Sequence, residues 1–364
     1  MNIYTVTFCG GNYGSCLQAY ALQTCLKELG SNVFVLSVSH RKGRCSKLRA
    51  IWKIFKPEKH YSLFQRIRRR TQAKDFQEKK EKLRRFSDHY LSVKAITDRD
   101  SFIRSLTAED VFLAGSDQIW STLNSHLSEW YSLQWVANDH TKYSYAASIG
   151  ISSLTDSQKK EYAEGLSSFK TISLREKQAV EALSPLFPNK IRQDLDPTLL
   201  LDSSFWRKLE SPKLHPSPYV FVYMLRPDEK VIQIARKIAK ERNCDIIFTG
   251  QFADKFKGIK TVCDAGVEEF LSLIKHAECI VTNSFHGIIM SVQFRKLFYG
   301  FSREQCDNKT QELTELMGLK NRMLVTGDEE YLDTIDYDDV HQKIAAARDS
   351  SLLYLRNALQ LIAE

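Results

Sequence analysis

Four short loops hold the residues whose types and spacing could do chemistry. Each loop follows an apolar run that predicts a buried strand, and the four loops span residues 10–14, 115–120, 173–176 and 282–287. In open α/β sheets, ligands bind outside the carboxyl ends of the strands, so the sequence predicts that these loops face one site. Between them they offer an arginine, a histidine, an aspartate and a glycine-rich turn, which together could bind an anion and move a proton.

The first two loops are glycine-containing turns that also have a purely structural explanation. The loop at residues 10–14 would let backbone N–H groups approach an anion at a helix N-terminus, but it matches neither GxGxxG nor a Walker A loop. A tight strand-to-helix turn explains it equally well. In the second loop, Ser116 and Asp117 follow Gly115, and taken alone they are better explained as the cap of a following helix.

The other two loops carry the charged and titratable candidates. Arg175 lies at a predicted strand end, where a guanidinium can grip a carboxylate or phosphate through two parallel hydrogen bonds. The alternative is a surface arginine paired with Glu176 or Asp194. His286 follows the apolar run 278–282 and opens a predicted helix, so it could donate to an anion or act as a general acid or base. A histidine satisfied by backbone in a turn is the alternative, and the position between strand and helix favours the functional interpretation.

The elements that position these loops form two consecutive βαβ series. Residues 2–38 have the pattern of a strand, a glycine loop, a helix and a strand, which opens a parallel α/β domain. The pattern restarts at residue 219 after a proline-bearing segment at 202–218, which predicts a boundary between lobes. The predicted fold class is therefore α/β, with two doubly wound Rossmann-like lobes that face a cleft.

The predicted boundaries divide the chain into three parts. An N-terminal Rossmann-like lobe covers residues 1–205 and carries a basic helical insertion at about 41–92. A C-terminal Rossmann-like lobe covers residues 216–330. A helix at 335–364 is expected to pack back on the first lobe.

Charge and cysteine usage narrow the function classes. The formal charge is +8, but residues 41–86 hold 18 Lys and Arg against four Asp and Glu, so the rest of the 364-residue chain is acidic. A basic segment on an acidic body predicts a local anionic partner and no general nucleic-acid surface.

The eight cysteines form no CxxC pair, so we expect no metal site. No apolar stretch is long enough to span a bilayer, so we expect no transmembrane helix. The first residues lack a signal-peptide pattern, and the expected location is cytoplasmic.

Taken together and in order, these loops resemble the polysaccharide pyruvyl transferase family. The matching segments are NYGSCLQAYALQ, DVFLAGSDQIW, YAASIG, ISLREK, DPTLLL and EEFLSLIKHAECIVTNSFHG, which extend over most of residues 3–300. The resemblance implies a fold like that of the two-lobed GT-B glycosyltransferases, with a donor site in the cleft. It implies phosphoenolpyruvate as the donor, a sugar diol as the acceptor and a cyclic ketal as the product, in the biosynthesis of cell-surface or capsular polysaccharide.

The resemblance also assigns roles to residues. The essential histidine of the family falls on His286 and its donor-binding arginine on Arg175, so these two residues and Asp117 are the predicted catalytic residues. The predicted donor-binding set is Arg175, Asn283, Ser284, His286 and Gly287, and the predicted acceptor-binding set is Asn12, Tyr13, Gly14, Ser116 and Asp117. Some members carry Arg-Leu before the histidine where this chain has Ser284-Phe285, which leaves Lys296 or Arg303 as the alternative cationic contact. Beyond the donor itself, no cofactor and no metal is expected.

Two other functions fit parts of the pattern. A glycosyltransferase with a nucleotide-sugar donor would share the architecture, but it would need an acidic base- and ribose-binding residue in the second lobe, and none is identifiable from the sequence. A nucleic-acid-binding protein would use the basic segment at 41–86. Since the sequence carries no recognised nucleic-acid motif and its remainder is acidic, no nucleic-acid partner is expected.

The basic segment at residues 44–70 has a further interpretation as a membrane contact. It mixes Trp52 and Phe55 with lysines and arginines, and cationic helices with aromatic residues on one side lie in membrane interfaces. Packing of those apolar residues on the first lobe is the alternative. Because polysaccharide building often occurs on lipid carriers, the resemblance favours peripheral docking on the anionic cytoplasmic face of the inner membrane, near a lipid-linked sugar.

Overall fold

The structure is a computed structural model that describes residues 1–38, 63–123, 126–151, 153–250, 258–302, 307–325 and 334–359. Residues 44–62 of the basic segment fall outside these ranges, and for residues 63–70 the structure gives the helical backbone alone. The membrane-docking hypothesis therefore stays a prediction. Among the described residues, no helix combines the length and the apolar character that crossing a membrane would require.

The N-terminal half builds a parallel sheet in the order β3-β2-β1-β4-β5. Its strands are β1 (Asn2–Val6), β2 (Asn32–Val38), β3 (Val93–Ile96), β4 (Val111–Ala114) and β5 (Thr141–Ser144). A parallel pair, β6 (Ile172–Leu174) and β7 (Ile191–Gln193), continues the β5 edge through single bridges from Tyr143 to Thr171 and from Ala147 to Leu174. The carboxyl ends of β1, β4, β5 and β6 consequently form one edge, as the predicted parallel topology requires.

The helices of this half follow the strands, and most of them begin after a residue whose side chain caps the first turn. They are α1 (Tyr13–Glu28), α2 (Leu63–Tyr90), α3 (Arg99–Arg104), α4 (Asp156–Gly165), α5 (Lys177–Leu183), a 3-10 turn (Pro197–Leu199) and α6 (Ser203–Arg207). Helix α1 begins two residues earlier than the apolar spacing predicts because Asn12 caps it. The Asn12 side chain accepts a hydrogen bond from the Ser15 backbone N–H (2.9 Å), and the Ser15 hydroxyl accepts one from the Asn12 N–H (3.0 Å).

The second half repeats the design with a parallel sheet in the order β10-β9-β8-β11-β12-β13. Its strands are β8 (Tyr219–Tyr223), β9 (Asp245–Thr249), β10 (Lys260–Thr261), β11 (Cys279–Thr282), β12 (Phe298–Phe301) and β13 (Met323–Leu324). Its helices are α7 (Glu229–Glu241), α8 (Val267–Lys275), α9 (Phe285–Gln293), α10 (Asp307–Leu316), a 3-10 turn (Lys320–Arg322) and the C-terminal α11 (Tyr337–Ala358). Strands β8, β11 and β12 are buried along their whole length, which is why their sequences are continuously apolar. Two parallel sheets with helical crossovers confirm the predicted fold class.

The two halves are joined by buried polar and aromatic contacts. The Tyr13 ring in α1 stacks on Phe270 of α8 at 4.2 Å between centroids, and its hydroxyl donates to the Ala265 carbonyl (2.8 Å). In α9, the Gln293 side-chain N–H₂ donates to the carbonyls of Thr198 (2.7 Å) and Leu201 (2.9 Å). These bonds tie the first helix and the 3-10 turn of the N-terminal half to helices of the C-terminal half.

The C-terminal helix α11 contacts the first sheet although it follows the second one in sequence. The Tyr354 hydroxyl donates to the carbonyl of Ser144 at the end of β5 (2.8 Å), and Arg348 Nε donates to the Leu199 carbonyl (2.7 Å). The Leu195 N–H donates to the Ser351 hydroxyl (3.1 Å). Helix α11 therefore holds the segment that leads into the 3-10 turn.

The Gln293 bridge predicts a stability change that a distant surface glutamine will not reproduce. Gln293→Met should lower the urea midpoint of unfolding, because it leaves two buried carbonyls without their donor at about 1–3 kcal/mol each. Gln77→Met, at an exposed position of α2, is the matched control and should leave the midpoint unchanged. Equal midpoints for the two variants would show that this bridge does not hold the halves together.

Candidate active site

Arg175 is a buried side chain at the carboxyl end of β6. It is 6% exposed, its Nη1 donates to Asp196 Oδ2 (2.8 Å), and its Nε donates to Glu176 Oε1 (3.3 Å). The alternative of a surface arginine is therefore wrong, although the pairing with Glu176 that it named is present. Asp194 pairs instead with Arg192 at 2.7 Å.

Asp196 is the carboxylate on which the site is built. It caps the 3-10 turn by accepting from the Thr198 backbone N–H (3.0 Å) and hydroxyl (2.6 Å), and it also accepts from Arg175. Burial alone would raise the pKa of Asp196, but the charges of His286 and Arg175 and the Thr198 hydroxyl outweigh burial and hold the pKa well below its usual range. Asp196 is consequently an anion at neutral pH.

His286 reaches the same carboxylate from the opposite half of the chain. It lies in the first turn of α9, and its Nε2 is 3.6 Å from Asp196 Oδ2, an electrostatic contact just beyond hydrogen-bond range. On its other side the ring lies directly against Gly14, where an added Cβ would be 2.2 Å from His286 Nδ1. Gly14 belongs to the first turn of α1, so the positive ends of two helices from opposite halves meet at the imidazole.

Three buried polar atoms of this cluster have no hydrogen-bond partner among the described residues. They are Arg175 Nη2, His286 Nε2 and Glu176 Oε2. A buried donor or acceptor left unpaired costs about 1–3 kcal/mol, so a native structure keeps several together chiefly where a ligand will pair with them. The two basic side chains come from opposite halves of the chain and flank the Asp196 carboxylate, which makes their surroundings the candidate site for an acceptor-rich ligand.

Asp117 adds a third carboxylate near the arginine. It follows β4 with a left-handed backbone (φ 74°), which aspartate tolerates better than most residues, and its Oδ1 accepts from the Gln118 N–H (2.8 Å). Burial alone would lower the pKa of Arg175, but Glu176, Asp196 and Asp117 together raise it above its usual value. Arg175 is therefore a permanent cation with three carboxylates around it.

Two residues of the predicted acceptor set use their polar groups inside the fold. The Ser116 hydroxyl donates to the Ala146 carbonyl (2.8 Å), and Ser116 is fully buried. The Tyr13 hydroxyl donates to Ala265 between the halves. Asn12 is exposed, but its side-chain oxygen caps α1. Of the predicted acceptor set, Gly14 and Asp117 are the members that the structure places at the arginine and histidine.

The predicted donor set divides in the same way. Asn283 holds the loop after β8, since its side chain accepts from the Leu225 N–H and donates to the Arg226 carbonyl (both 2.9 Å). Ser284 caps α9 by accepting from the Gly287 N–H (3.3 Å). These bonds fix the turn that positions His286. The side chains of Asn283 and Ser284 are therefore used in hydrogen bonds to backbone groups.

Of the two alternative cations named from the sequence, the structure describes Lys296 alone. Lys296 lies near Glu278 and Cys279, at the amino end of β11 and away from His286, and Arg303 is outside the described residues. Lys309 of α10 is the cation that sequence reasoning missed. Its Nζ lies 5.6 Å from the Phe285 ring centroid, on which the Arg175 guanidinium also packs at 4.8 Å.

A cavity of about 310 Å³ opens beside the arginine. Arg175, Asp196 and Lys177 of α5 line it from the first half. Phe285 and Lys309 line it from the second half. Cavities of this size are suited to small ligands. His286 is not part of the lining, so it faces Asp196 from outside the cavity.

Comparison with known proteins gives one family and a shared architecture. The model of the family described as polysaccharide pyruvyl transferase matches residues 12–305. No curated protein matches the chain. The Arabidopsis thaliana UGT89C1 complex with UDP-L-rhamnose is similar in structure, with a TM-score of 0.52 at 8% identity over 99% of this chain and 98% of that one. The S. aureus MnaA–UDP structure has a TM-score of 0.50 at 12% identity over 100% of this chain and 98% of that one. At these identities the likeness shows the GT-B-like fold alone.

The depressed pKa of Asp196 predicts a pH dependence of stability. Because the folded-state pKa lies below the unfolded value of about 3.9, the carboxylate stabilises the fold at neutral pH, and that contribution is lost as the pH falls below about 4. Asp196→Asn should destabilise the protein at pH 7 by about 3–5 kcal/mol, because it leaves buried Arg175 without its partner. The difference between the urea midpoints of Asp196→Asn and wild type should become smaller as the pH falls from about 5 to about 3, because the stabilisation by the carboxylate is lost there. Asp156→Asn, an exposed change, should follow wild type throughout, and a gap of constant size for Asp196→Asn would contradict the assignment.

The Gly14 contact predicts that one methyl group will displace the imidazole. Gly14→Ala should shift the NMR resonances of the His286 ring, because the new Cβ cannot share space with Nδ1. Gly11→Ala is the matched control from the same loop, since a Cβ there would meet nothing closer than the Ser15 hydroxyl at 3.8 Å. His286 resonances that are unmoved in Gly14→Ala would show that the two helix ends do not touch in solution.

Proposed function

The chain belongs to the polysaccharide pyruvyl transferase family, whose model covers residues 12–305, and on that premise we propose that it transfers a pyruvyl group from phosphoenolpyruvate to a sugar diol as a cyclic ketal. Family membership makes the protein a transferase, and the donor and acceptor are the proposal. The observation that carries it is the pair of unpartnered buried donors, Arg175 Nη2 and His286 Nε2, which come from opposite halves.

Phosphoenolpyruvate has the chemistry that such a pair would recognise. Its carboxylate and phosphate lie on one carbon, so two groups of acceptor oxygens are held close together. A guanidinium donates to either group through parallel N–H bonds, and an imidazolium donates a single strong one. The amino ends of α1 and α9 add positive potential at the same point. Pairing the two orphaned donors with the ligand would recover the free energy that burial costs them.

The charge balance of the cluster requires cations beyond the arginine. Arg175 is already neutralised by Asp196 and Glu176, so a multiply charged anion needs other positive groups. His286 supplies one when it donates a proton, and its Nε2 lies 3.6 Å from Asp196 Oδ2. Lys309 supplies another, since its Nζ lies 5.6 Å from the Phe285 ring centroid on which Arg175 also packs, and we assign it the part of the arginine that Ser284 replaces in this chain.

The proposed reaction begins with proton transfer. His286 gives a proton to the methylene carbon of the enol phosphate, and positive charge develops at the neighbouring carbon. One sugar hydroxyl adds to that carbon and releases its proton to Asp117. The bond from carbon to the phosphate oxygen then breaks, the second hydroxyl adds in its place, and the ketal ring closes. The proton of the second hydroxyl restores His286, and the one held by Asp117 leaves with the phosphate.

Position and polarity support these roles. The Asp196 carboxylate lies 3.6 Å from His286 Nε2 and positions the imidazole, and Gly14 leaves room for the ring. Asp117 follows β4 at the same sheet edge, with Oδ1 held by the Gln118 N–H, so its other oxygen can accept from a hydroxyl. Arg175 would stabilise the phosphate as charge moves to it.

Measurements of donor binding and of turnover distinguish the proposed roles of Arg175 and His286. Arg175→Lys keeps the charge beside Asp196 and Glu176 but loses the fork, so calorimetry should show phosphoenolpyruvate affinity falling by at least about tenfold. His286→Gln keeps a hydrogen-bond donor but cannot move the proton, so it should bind the donor and turn over about 10²–10⁴-fold more slowly.

Matched surface changes control for general effects. His126→Gln, at an exposed histidine paired with Glu161, and Arg99→Lys, at an exposed arginine, should both behave as wild type. A nucleotide-sugar donor is the competing function, since the UGT89C1 and MnaA structures of the same fold hold UDP-L-rhamnose and UDP. Tight UDP-sugar binding together with undetectable phosphoenolpyruvate binding to the wild-type protein would sink the pyruvyl transfer proposal.

A further inference from the structure

Two partly exposed aromatic side chains follow the same sheet edge as the candidate site. Phe8 follows β1 and is 37% exposed, and Tyr131 is half-buried in the segment between β4 and β5. Their ring centroids are 4.8 Å apart with the planes at 71°, so the edge of one ring meets the face of the other. Such a pair offers two apolar surfaces at nearly a right angle.

Buried side chains hold the backbone of both residues. The Gln18 side-chain N–H₂ donates to the Phe8 carbonyl (2.8 Å), and the indole N–H of Trp120 donates to the Tyr131 carbonyl (2.9 Å). Gln18 and Trp120 are both fully buried. The aromatic pair is therefore fixed by the core of the first half, and little ordering would be left for a ligand to impose.

The aromatic pair adjoins the proposed proton acceptor. Phe8 and Asp117 follow β1 and β4, which are hydrogen-bonded neighbours about 4.8 Å apart. Burial raises the pKa of Tyr131 to about 12, helped by the nearby charges of Cys9 and Asp117. The order along the sheet edge is thus the aromatic pair, Asp117 and then Arg175.

Isolated exposed aromatics are common and need no function. Phe76 on α2 is such a case, since it is 36% exposed and the ammonium of Lys80 lies 4.5 Å from its ring centroid. Phe8 differs in three respects. It pairs with a second aromatic ring, its backbone is pinned by a buried amide, and a partly exposed carboxylate lies on the adjacent strand end.

We infer that Phe8 and Tyr131 form a stacking surface for a pyranose ring of the acceptor, with Asp117 accepting from its hydroxyls. A pyranose presents one face of C–H bonds and a rim of hydroxyls. The C–H face packs on an aromatic ring as an apolar surface does, while the rim turns to polar groups. The sugar identity of the ligand rests on the proposed function, and the stacking surface itself rests on the geometry.

The arrangement would orient the acceptor for reaction. With the C–H face against the rings, the hydroxyl rim points along the sheet edge toward Asp117 and Arg175. Two hydroxyls of one ring must reach a single carbon in succession, which makes orientation the main requirement of the acceptor site. Phe8 and Tyr131 are accordingly positioning residues, and their loss should act on acceptor binding and leave donor binding intact.

Saturation-transfer NMR tests the inference without turnover. The probes are the methyl pyranosides of glucose, galactose and mannose, each with a free 4,6-diol, and the aromatic protons of the full chain are irradiated. The wild-type protein should transfer saturation to the ring C–H protons of at least one probe. Phe8→Ala and Tyr131→Leu should each reduce that signal by about fivefold, whereas Phe8→Trp and Tyr131→Phe, which keep an aromatic face, should retain it.

Two controls separate this inference from the proposed function. Phe76→Ala removes an equally exposed phenylalanine and should leave the signal as in wild type. Calorimetry with phosphoenolpyruvate should give the same affinity for Phe8→Ala as for wild type. A signal that persists in Phe8→Ala, or is absent with all three probes in the wild-type protein, overturns the stacking surface. If phosphoenolpyruvate does not bind to the wild-type protein, that result would instead count against the proposed function alone.

Discussion

The site depends on the Asp196 carboxylate, which two basic side chains from opposite halves of the chain contact. Asp196 is buried, and a buried anion is stable only when it is paired and hydrogen-bonded. Arg175 supplies one partner from the first sheet and His286 the other from the second half, while Thr198 satisfies the remaining lone pairs. Because the pairing works only when the halves are docked, the free energy of the buried charge is coupled to the geometry of the cleft.

The surrounding fold can be understood as the means of bringing these three side chains together. The β6–β7 pair extends the first sheet so that Arg175 and Asp196 leave adjacent strand ends, and α11 holds the chain between them from outside. On the other side, Gln293 ties α9 to the 3-10 turn that Asp196 caps. The first turns of α1 and α9 then meet with nothing larger than a glycine between them. Two positive helix ends this close favour an anion in the space they share.

The sequence predicted much of this arrangement, and the failures have a common cause. Continuous apolar strands and helical spacing were sufficient for two parallel α/β halves, and a charged residue directly after a buried strand was sufficient for Arg175 and His286. Asn283, Ser116 and Tyr13 have the same local signature, yet each side chain bonds to the backbone of a distant segment. Local pattern cannot separate a polar residue that meets a ligand from one that satisfies a loop, since the partner lies far away in sequence.

Asp196 shows the opposite case. In the sequence it belongs to an Asp-Pro-Thr run that resembles the family, and in the structure its side chain caps the 3-10 turn. Its second role, as the anion between Arg175 and His286, follows only from tertiary contacts. A capping pattern can therefore hide a residue of the site, and the Pro and Thr beside it are what fix its carboxylate in place.

The central claim is that a proton passes to the methylene carbon of phosphoenolpyruvate while a sugar diol captures the adjacent carbon. The most direct measurement runs the reaction in D₂O with phosphoenolpyruvate and a panel of free, nucleotide-linked and lipid-linked sugars, followed by mass spectrometry and NMR of the products. The account predicts a sugar that carries one pyruvyl ketal whose methyl group contains a single deuterium, with one phosphate released for each ketal formed. A panel in which no sugar gains a pyruvyl group, or a ketal whose methyl group contains no deuterium, would contradict it.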